Sequence, residues 1–463
     1  MKRLLILLLM GLCLPRLAGQ TPLPESDFLS AVLAHHPLAA QAALLDDAAA
    51  AYLQKTRGAF DPKFFAQDKS KSYSGTSYYD YRGAGLTAET RLGIAVDAGW
   101  NEADGTYLNP ESTLPDAGLW SVGATVRLGQ GLFTDARRTA LRQAEAYVTL
   151  NAAQRTAALN DLLLNAATDF AKWYKAHQAA EVAREAERLA LERLDGIRAS
   201  LIGGDRAAID TVEARLRWTT RKMEAARAAT LLAEARAKAS SWLWDPAGRP
   251  MALTPSNVPT YPGDPNARTA WVRTTLLDAG ARTARWPAHP FAEALTAKTT
   301  AAEAEIRLRR ELLKPQLDAR FLALSETGGT FDLENDYALE LKAALPLFLR
   351  KERGNLALAQ IEAENIALDR QAKAWKWETE AIGAGTAWAD VLAQWRSARE
   401  SETLAAQLLA AEEVKFQVGE SSLFLLNSRE ASWLKAQKER IEAEVQLALA
   451  WRRMGWIWGE PTP

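Results

Sequence analysis

Residues 317–345 read LDARFLALSETGGTFDLENDYALELKAAL, and the fold turns on this stretch. Leu317, Ala319, Phe321 and Ala323 alternate with Asp318, Arg320 and Leu322. Tyr337, Leu339, Leu341, Ala343 and Leu345 alternate with Ala338, Glu340, Lys342 and Ala344. A period of two predicts two β-strands joined by the polar loop SETGGTFDLEND. Each strand is about ten residues, the length that crosses an outer membrane when tilted. A soluble antiparallel sheet on a helical domain gives the same alternation, so the flanking segments must decide.

Those flanks are helical. No proline lies between Pro115 and Pro246 or between Pro346 and Pro461, and both stretches are rich in Ala, Leu, Glu, Arg, Lys and Gln, the strong helix formers. Leu159, Leu163, Ala166, Phe170, Trp173 and His177 recur at three- and four-residue steps as one apolar stripe. One glycine site interrupts each stretch, Gly203-Gly204 and Gly419, followed by Asp205 or Glu420-Ser421, which can cap a new helix. Each stretch therefore reads as a helical hairpin. The outgoing arms, 135–202 and 350–418, are each about 100 Å long at ~1.5 Å per residue. The return arm 206–244 and an entry helix near 25–57 together match the length of one long arm, which suggests that they stack end to end beside it. The segment 245–265 carries six prolines and leaves the chain at mid-height. Gly383 and Gly385 fall near the middle of the second long helix, where they either loosen it or face solvent.

The chain also reads as duplicated. His36-Pro37 matches His289-Pro290, and Pro62 matches Pro315, at an offset of 253. Leu132-Phe133 matches Leu347-Phe348, and Gly204 matches Gly419, at an offset of 215. The first repeat therefore holds 38 extra residues between Pro62 and Leu132. Three strand-like segments lie there, 60–68, 86–100 and 120–128. Both flanking helices must lie on one side of a membrane, so an even number of strands crosses. We expect 60–68 and 120–128 to cross and 86–100 to extend the extracellular side. Four crossing strands cannot close a barrel, and unpaired edges in lipid are costly, so several chains must share one.

Lys2 and Arg3 precede an apolar run, residues 4–14, and Leu17-Ala18-Gly19 supplies small residues for cleavage before Gln20. That pattern predicts a secretory signal. Cys13 is the single cysteine, so the mature chain has no disulfide and no thiolate.

With these features in order, the chain resembles the TolC-like outer-membrane efflux protein family over roughly residues 25–458. The resemblance rests on the "HP" helix starts, Pro62 and Pro315, the junctions LGQGLFTDARR and LPLFLRKERGN, and the tips GDRAAIDTVEAR and GESSLFLLNSREA. It implies a homotrimer with a twelve-strand barrel and a twelve-helix periplasmic tunnel. It also implies a periplasmic adaptor and an inner-membrane transporter as partners, in efflux or type I secretion. Adaptor docking and the tunnel entrance would map onto Gly203, Gly204, Asp205, Gly419, Glu420 and Ser421. Some family members narrow the entrance with aspartates after the second tip. Here Leu425, Leu426, Asn427 and Ser428 stand in that place, and the nearest acids are Asp210 and Glu213, which read equally as solvated helix charge.

Other functions find no residues. The net charge of −1 gives no basic field for nucleic acid. No metalloprotease, phosphate-loop or nucleophile-elbow motif occurs, and no cofactor is implied. His36 and His289 precede prolines and read as turn residues. Trp375, Trp377, Trp388, Trp395, Trp433 and Trp451 are expected to pack between helices, and Trp100 and Trp120 to join an aromatic girdle or pack against loops. The expected architecture is mainly α with a small β part: an antiparallel helical coiled-coil barrel under a shared transmembrane β-barrel, four strands per chain. Its parts are a signal (1–19), a first repeat (20–244), a linker (245–288), a second repeat (289–458) and a tail (459–463). A passive outer-membrane export conduit is the leading function; a periplasmic structural coiled-coil protein without a pore is the alternative.

Overall fold

The structure, a computed structural model, describes residues 21–204, 207–261 and 265–460. The expected signal segment lies outside these residues.

The first half of the chain runs through β1 (Thr21–Pro24), α1 (Glu25–His35), α2 (Pro37–Arg57), β2 (Lys63–Tyr73), β3 (Thr76–Glu89), β4 (Ile94–Asp104), β5 (Leu119–Arg127), α3 (Ala136–Ile202) and α4 (Ala208–Ser240). A middle segment holds β6 (Asn257–Thr260), α5 (Pro265–Trp271) and α6 (Ala279–Arg285). The second half follows with α7 (Pro290–Glu311), β7 (Gln316–Ser325), β8 (Tyr337–Ala344), α8 (Arg350–Gln417) and α9 (Leu423–Trp458). The chain is mainly helical with a smaller sheet, as its periodicities predict. Residues from both halves cluster into two compact units.

The first unit comprises Met1–Ala40, Leu159–Arg282 and Glu380–Pro463. Its core gathers Phe28, Leu29 and Val32 of α1 with Leu162, Leu163, Ala166, Phe170 and Trp173 of α3 and Ala239 of α4. The Phe28 and Phe170 rings lie 5.1 Å apart. The stripe read from the sequence of α3 is thus the buried one, and each large side chain in it contributes roughly 1.5–3 kcal/mol. His36 ends α1 and packs 5.3 Å from the Trp242 ring beyond α4. β1 pairs in parallel with β6. Arg452 of α9 donates to the buried Glu25 carboxylate at 2.9 and 3.0 Å.

The proline-rich segment is more ordered than a bare linker. Trp388 of α8 donates its indole N–H to Thr269 Oγ1 of α5 at 3.0 Å, and Trp271 lies 5.1 Å from Trp451. A methyl group on Gly385 would stand 2.8 Å from Leu277 Cδ2. Gly385 is therefore a packing site between α8 and the middle segment rather than a solvent-facing position. Trp377 and Trp388 are buried as expected, whereas Trp375 is 69% exposed in a single chain.

The second unit comprises Gln41–Ala158 and Thr283–Thr379 and carries one antiparallel sheet in the order β2-β3-β4-β5-β7-β8. The register aligns Phe64, Leu86, Ala98, Val122, Ala323 and Tyr337 as one row through all six strands. Neighbouring rows on that face hold Ala88, Val96, Ala124, Phe321 and Leu339, then Ile94, Val126, Ala319 and Leu341. The opposite face carries Lys63, Thr87, Asp97 and Gly123 in one row, with Thr125, Arg320 and Glu340 in the next. The first face is apolar through these rows, and the opposite face mixes polar residues with Phe65, Leu322 and Leu324.

The sheet corrects two expectations. It has six strands in one sheet, where the sequence predicts five strand-like segments, four of them crossing. The segment 86–100 is not one strand extending outward. It is the end of β3, a turn at residues 90–93 and the start of β4. The turn closes with Thr90 N–H donating to Ile94 O at 2.9 Å, and Gly93 takes φ +81°. It lies at the helix end of the sheet, where Glu89 pairs with Arg127 at 2.9 Å and Arg137 at 2.8 Å. A four-residue turn preserves the parity of the alternation, so Leu86, Ala88, Ile94, Val96, Ala98 and Trp100 keep one phase through it. A period-two reading sees a single strand there.

Among the described residues no single helix is long and apolar enough to cross a membrane. The bent pair formed by α1 and α2 passes by length and composition, but Phe28, Leu29 and Val32 are spent in the core.

Candidate functional site

The two hairpin tips belong to the first unit, and glycine geometry forms both. At the second tip α8 ends in a glycine-closed turn: Gly419 has φ +82°, its N–H donates to Phe416 O at 3.3 Å, and Glu420 N–H donates to Lys415 O at 2.9 Å. This pair of bonds satisfies the last carbonyls of the helix, and its left-handed residue favours glycine. At the first tip Gly204 has φ +82° and donates to Leu201 O at 3.1 Å, while Gly203 donates to Ala199 O at 3.1 Å. Among the described residues no neighbouring atom comes within 4 Å of a Cβ built on Gly204 or Gly419.

The residues following the glycines cap differently from the sequence expectation. Ser422, rather than Glu420 or Ser421, caps α9, accepting from Leu425 N–H at 3.2 Å. Ser421 donates its hydroxyl to the buried Glu412 carboxylate. α4 begins after Ala207 without a side-chain cap. Asp205 lies outside the described residues.

Below the tips Leu194 and Ile197 of α3, Ala214 of α4 and Leu423 of α9 form a buried cluster, with Phe416 and Trp218 partly buried against it. Of the two acids read as possible entrance residues, Glu213 is not simply solvated: Asn427 Nδ2 donates to it at 2.9 Å. Asp210 sits half-buried in the first turn of α4. Asn427, which follows the second tip, is itself buried.

The most buried charge near the tips escaped the sequence reading. Glu430 of α9 is ion-paired to Arg193 of α3 and lies 3.5 Å from Arg221 of α4. Arg193 also reaches Glu413 of α8 at 3.9 Å, and Arg221 pairs with Glu224 at 2.8 Å. This network ties together all four helices of the two hairpins. Glu430 stands 237 positions from Arg193 and 209 from Arg221, so no local pattern reveals the pairing. The network holds the four helices together. Among the described residues no cluster of three or more His, Cys, Asp or Glu is placed to hold a metal.

No family model matches the chain, and no curated protein sequence matches it. Solved structures do. The CmeC outer membrane channel of Campylobacter jejuni matches with a TM-score of 0.64 at 13% identity, covering 95% of this chain and 87% of its own. The outer membrane protein VceC of Vibrio cholerae matches with a TM-score of 0.63 at 13% identity, covering 94% and 96%. The open state of the MtrE outer membrane channel of Neisseria gonorrhoeae matches with a TM-score of 0.65 at 15% identity, covering 95% and 89%. Likeness over nearly the whole of each chain embraces the sheet and both helical hairpins together, and the chain has the fold of outer-membrane channels, the fold that its resemblance to the TolC-like family implies.

Proposed function

We propose that this protein is a trimeric outer-membrane channel, a passive export conduit of a tripartite efflux or type I secretion system. The observation that carries the reading is the sheet. Its apolar face is uncovered, with Phe64, Leu339 and Leu341 at 70%, 59% and 73% exposed, and both of its edges are unpaired. Such a surface suits lipid on one side, water on the other, and identical sheets at the edges. Helix α8 adds support, because Leu358, Ile361, Leu368 and Trp375 form an exposed apolar stripe at helical spacing. A neighbouring copy is the natural cover for it.

In this reading the chain is exported, loses residues 1–19 and inserts in the outer membrane, with its helices in the periplasm. Residues 20–244 and 289–458 are two repeats, joined through 245–288 and followed by the tail 459–463. The turns at Gly203, Gly204, Gly419, Glu420 and Ser421, together with Asp205, receive the periplasmic adaptor. The adaptor in turn couples to an inner-membrane transporter that supplies the energy. Asp210 and Glu213 stand nearest the entrance, and Glu213 is occupied in holding Asn427. The protein does no chemistry on its cargo.

Planar-bilayer recording of the purified, detergent-solubilised protein tests the reading. Stepwise insertion of long-lived channels by trimers is the expected result. A protein that stays soluble without detergent and never inserts would instead be the periplasmic coiled-coil protein without a pore.

A further inference from the structure

Resting on the channel reading, we propose that each copy passes six strands through the outer membrane, and that β8 of one copy pairs with β2 of the next. Three such copies enclose an eighteen-stranded barrel.

Three observations carry this. The first is the apolar band. The row from Phe64 through Leu86, Ala98 and Val122 to Ala323 and Tyr337 crosses every strand without a polar member. The row of Ala66, Ala84, Trp100 and Trp120 lies beside it. Leu86 and Ala98 on β3 and β4 thus share a row with Val122 and Ala323, and Val96 shares one with Phe321. A hairpin standing wholly outside the membrane would have no reason to keep an apolar face in register with the strands that cross. Beyond that band the same face of β2 to β4 turns polar, at Asp68, Arg82 and Glu102, then Ser70, Asp80 and Asp104. These strands outlast the band at its far end and do not replace it.

The second observation is the turn between β3 and β4. It lies at the helix end of the sheet, fastened by Glu89 to Arg127 and Arg137. A cap on the extracellular mouth would put both ends of its strands above the membrane. This hairpin instead returns to the level where the helices begin, so each of its strands traverses the full height. It also accounts for the 38 residues by which the first repeat exceeds the second between Pro62 and Leu132, because four strands stand there against two in the second repeat.

The third is the direction of the edges. Strands alternate in direction across the sheet, so six strands leave β2 and β8 antiparallel to each other. Every residue of both edge strands is exposed. Open edges cannot stand in lipid, and an even strand number per copy lets identical copies close an antiparallel ring. Barrel diameter grows roughly linearly with strand number, so eighteen strands make a mouth about half as wide again as twelve.

The test uses the full chain in a Cys13→Ser background, with single cysteines labelled by an environment-sensitive fluorophore after reconstitution in vesicles. Labels at Leu86→Cys on β3 and Val96→Cys on β4 are compared with Phe321→Cys on β7, using a lipid-borne nitroxide quencher and aqueous iodide. The expected result is that all three lose fluorescence to the lipid quencher to within two-fold of one another. If Phe321→Cys is quenched from lipid while Leu86→Cys and Val96→Cys are quenched only by iodide, the six-strand proposal is overturned and the channel reading stands. If Phe321→Cys itself escapes the lipid quencher, the channel reading fails and this proposal with it. Ala98→Cys and Ala88→Cys replace any variant that does not assemble. Edge pairing is tested by combining Phe64→Cys with a second cysteine at Tyr337, Leu339, Leu341 or Ala343 in turn. At least one pair is expected to give disulfide-linked oligomers, and cross-linking by none of the four overturns the closure.

Discussion

Trp100 of β4 and Trp120 of β5 stand directly opposite each other in the antiparallel register, on the apolar face and at its far end. On β8, Tyr337 occupies the next row toward the helices. Aromatic rings that close one end of an apolar band are what a membrane interface favours, since an indole or phenol has an apolar body and a polar tip.

The faces should therefore respond differently to charge. Val122→Lys places an ammonium in the middle of the apolar band and is expected to cost about 2–4 kcal/mol of insertion. Ser121→Lys, one residue away on the polar face, is expected to leave insertion near normal. The amount of trimer recovered from outer membranes measures both; equal loss for the two variants would contradict the face assignment.

At the tips, Gly204→Asn and Gly419→Asn should be tolerated, because asparagine enters the left-handed region at small cost and both sites have open space. Gly204→Glu and Gly419→Glu add roughly 1–2 kcal/mol of backbone strain and a bulky charge on the docking surface. Trimers should persist in the membrane while export is abolished. Normal export by the glutamate variants, scored by cargo accumulation in cells, would count against docking at the tips.

Glu430 is 4% exposed and faces Arg193 and Arg221. Glu430→Ala leaves two guanidinium groups without their shared carboxylate. Removing one partner of a buried pair costs about 3–5 kcal/mol. Thermal unfolding followed by helical circular dichroism should shift accordingly, and limited proteolysis should open the tips first. An unchanged melting temperature would mean that water satisfies the arginines.

Gly385→Val should overpack the contact with Leu277. The expected cost is about 1–3 kcal/mol, read as a lower melting temperature with unchanged membrane insertion. Gly383→Val, where no atom crowds the position, provides the comparison and should not lower the melting temperature, since valine is no poorer a helix former than glycine.

Burial holds the His177 imidazole below its ordinary value of 6.5, against a smaller opposing pull from Glu181. The unfolded chain therefore takes up the proton first as pH falls. Stability is full above the unfolded value, declines as pH drops from there toward the folded value, and is flat below it. Melting temperature should fall as pH drops through the ordinary imidazole range near 6.5, and His177→Gln should make that fall shallower. His36 is lowered by burial too, so some slope should remain. A slope identical in wild type and variant would remove His177 from the balance.

Much of this was open to reading along the chain. The stripe from Leu159 to Trp173 is repeated on one helix face, so its burial follows from 3.6-residue spacing alone. Gly204 and Gly419 punctuate long helix-forming runs, and the turns stand where those glycines stand. The strands β7 and β8 were legible because strict alternation survives over their whole length. The turn at residues 90–93 was not, since an even insertion leaves parity intact. The upper part of β3 was missed for a different reason: Tyr78, Tyr79, Asp80, Tyr81 and Arg82 show no apolar-polar alternation.

By itself the sequence determined the long helices, the two tips and one apolar face on the later strands. Each of these is a local pattern, written in spacing and composition. Only the tertiary structure decided that six strands share one register, that Gly385 meets Leu277, and that Glu430 joins Arg193 and Arg221. Those are pairings between distant positions, settled by packing and by the cost of leaving a backbone edge or a buried charge without its complement.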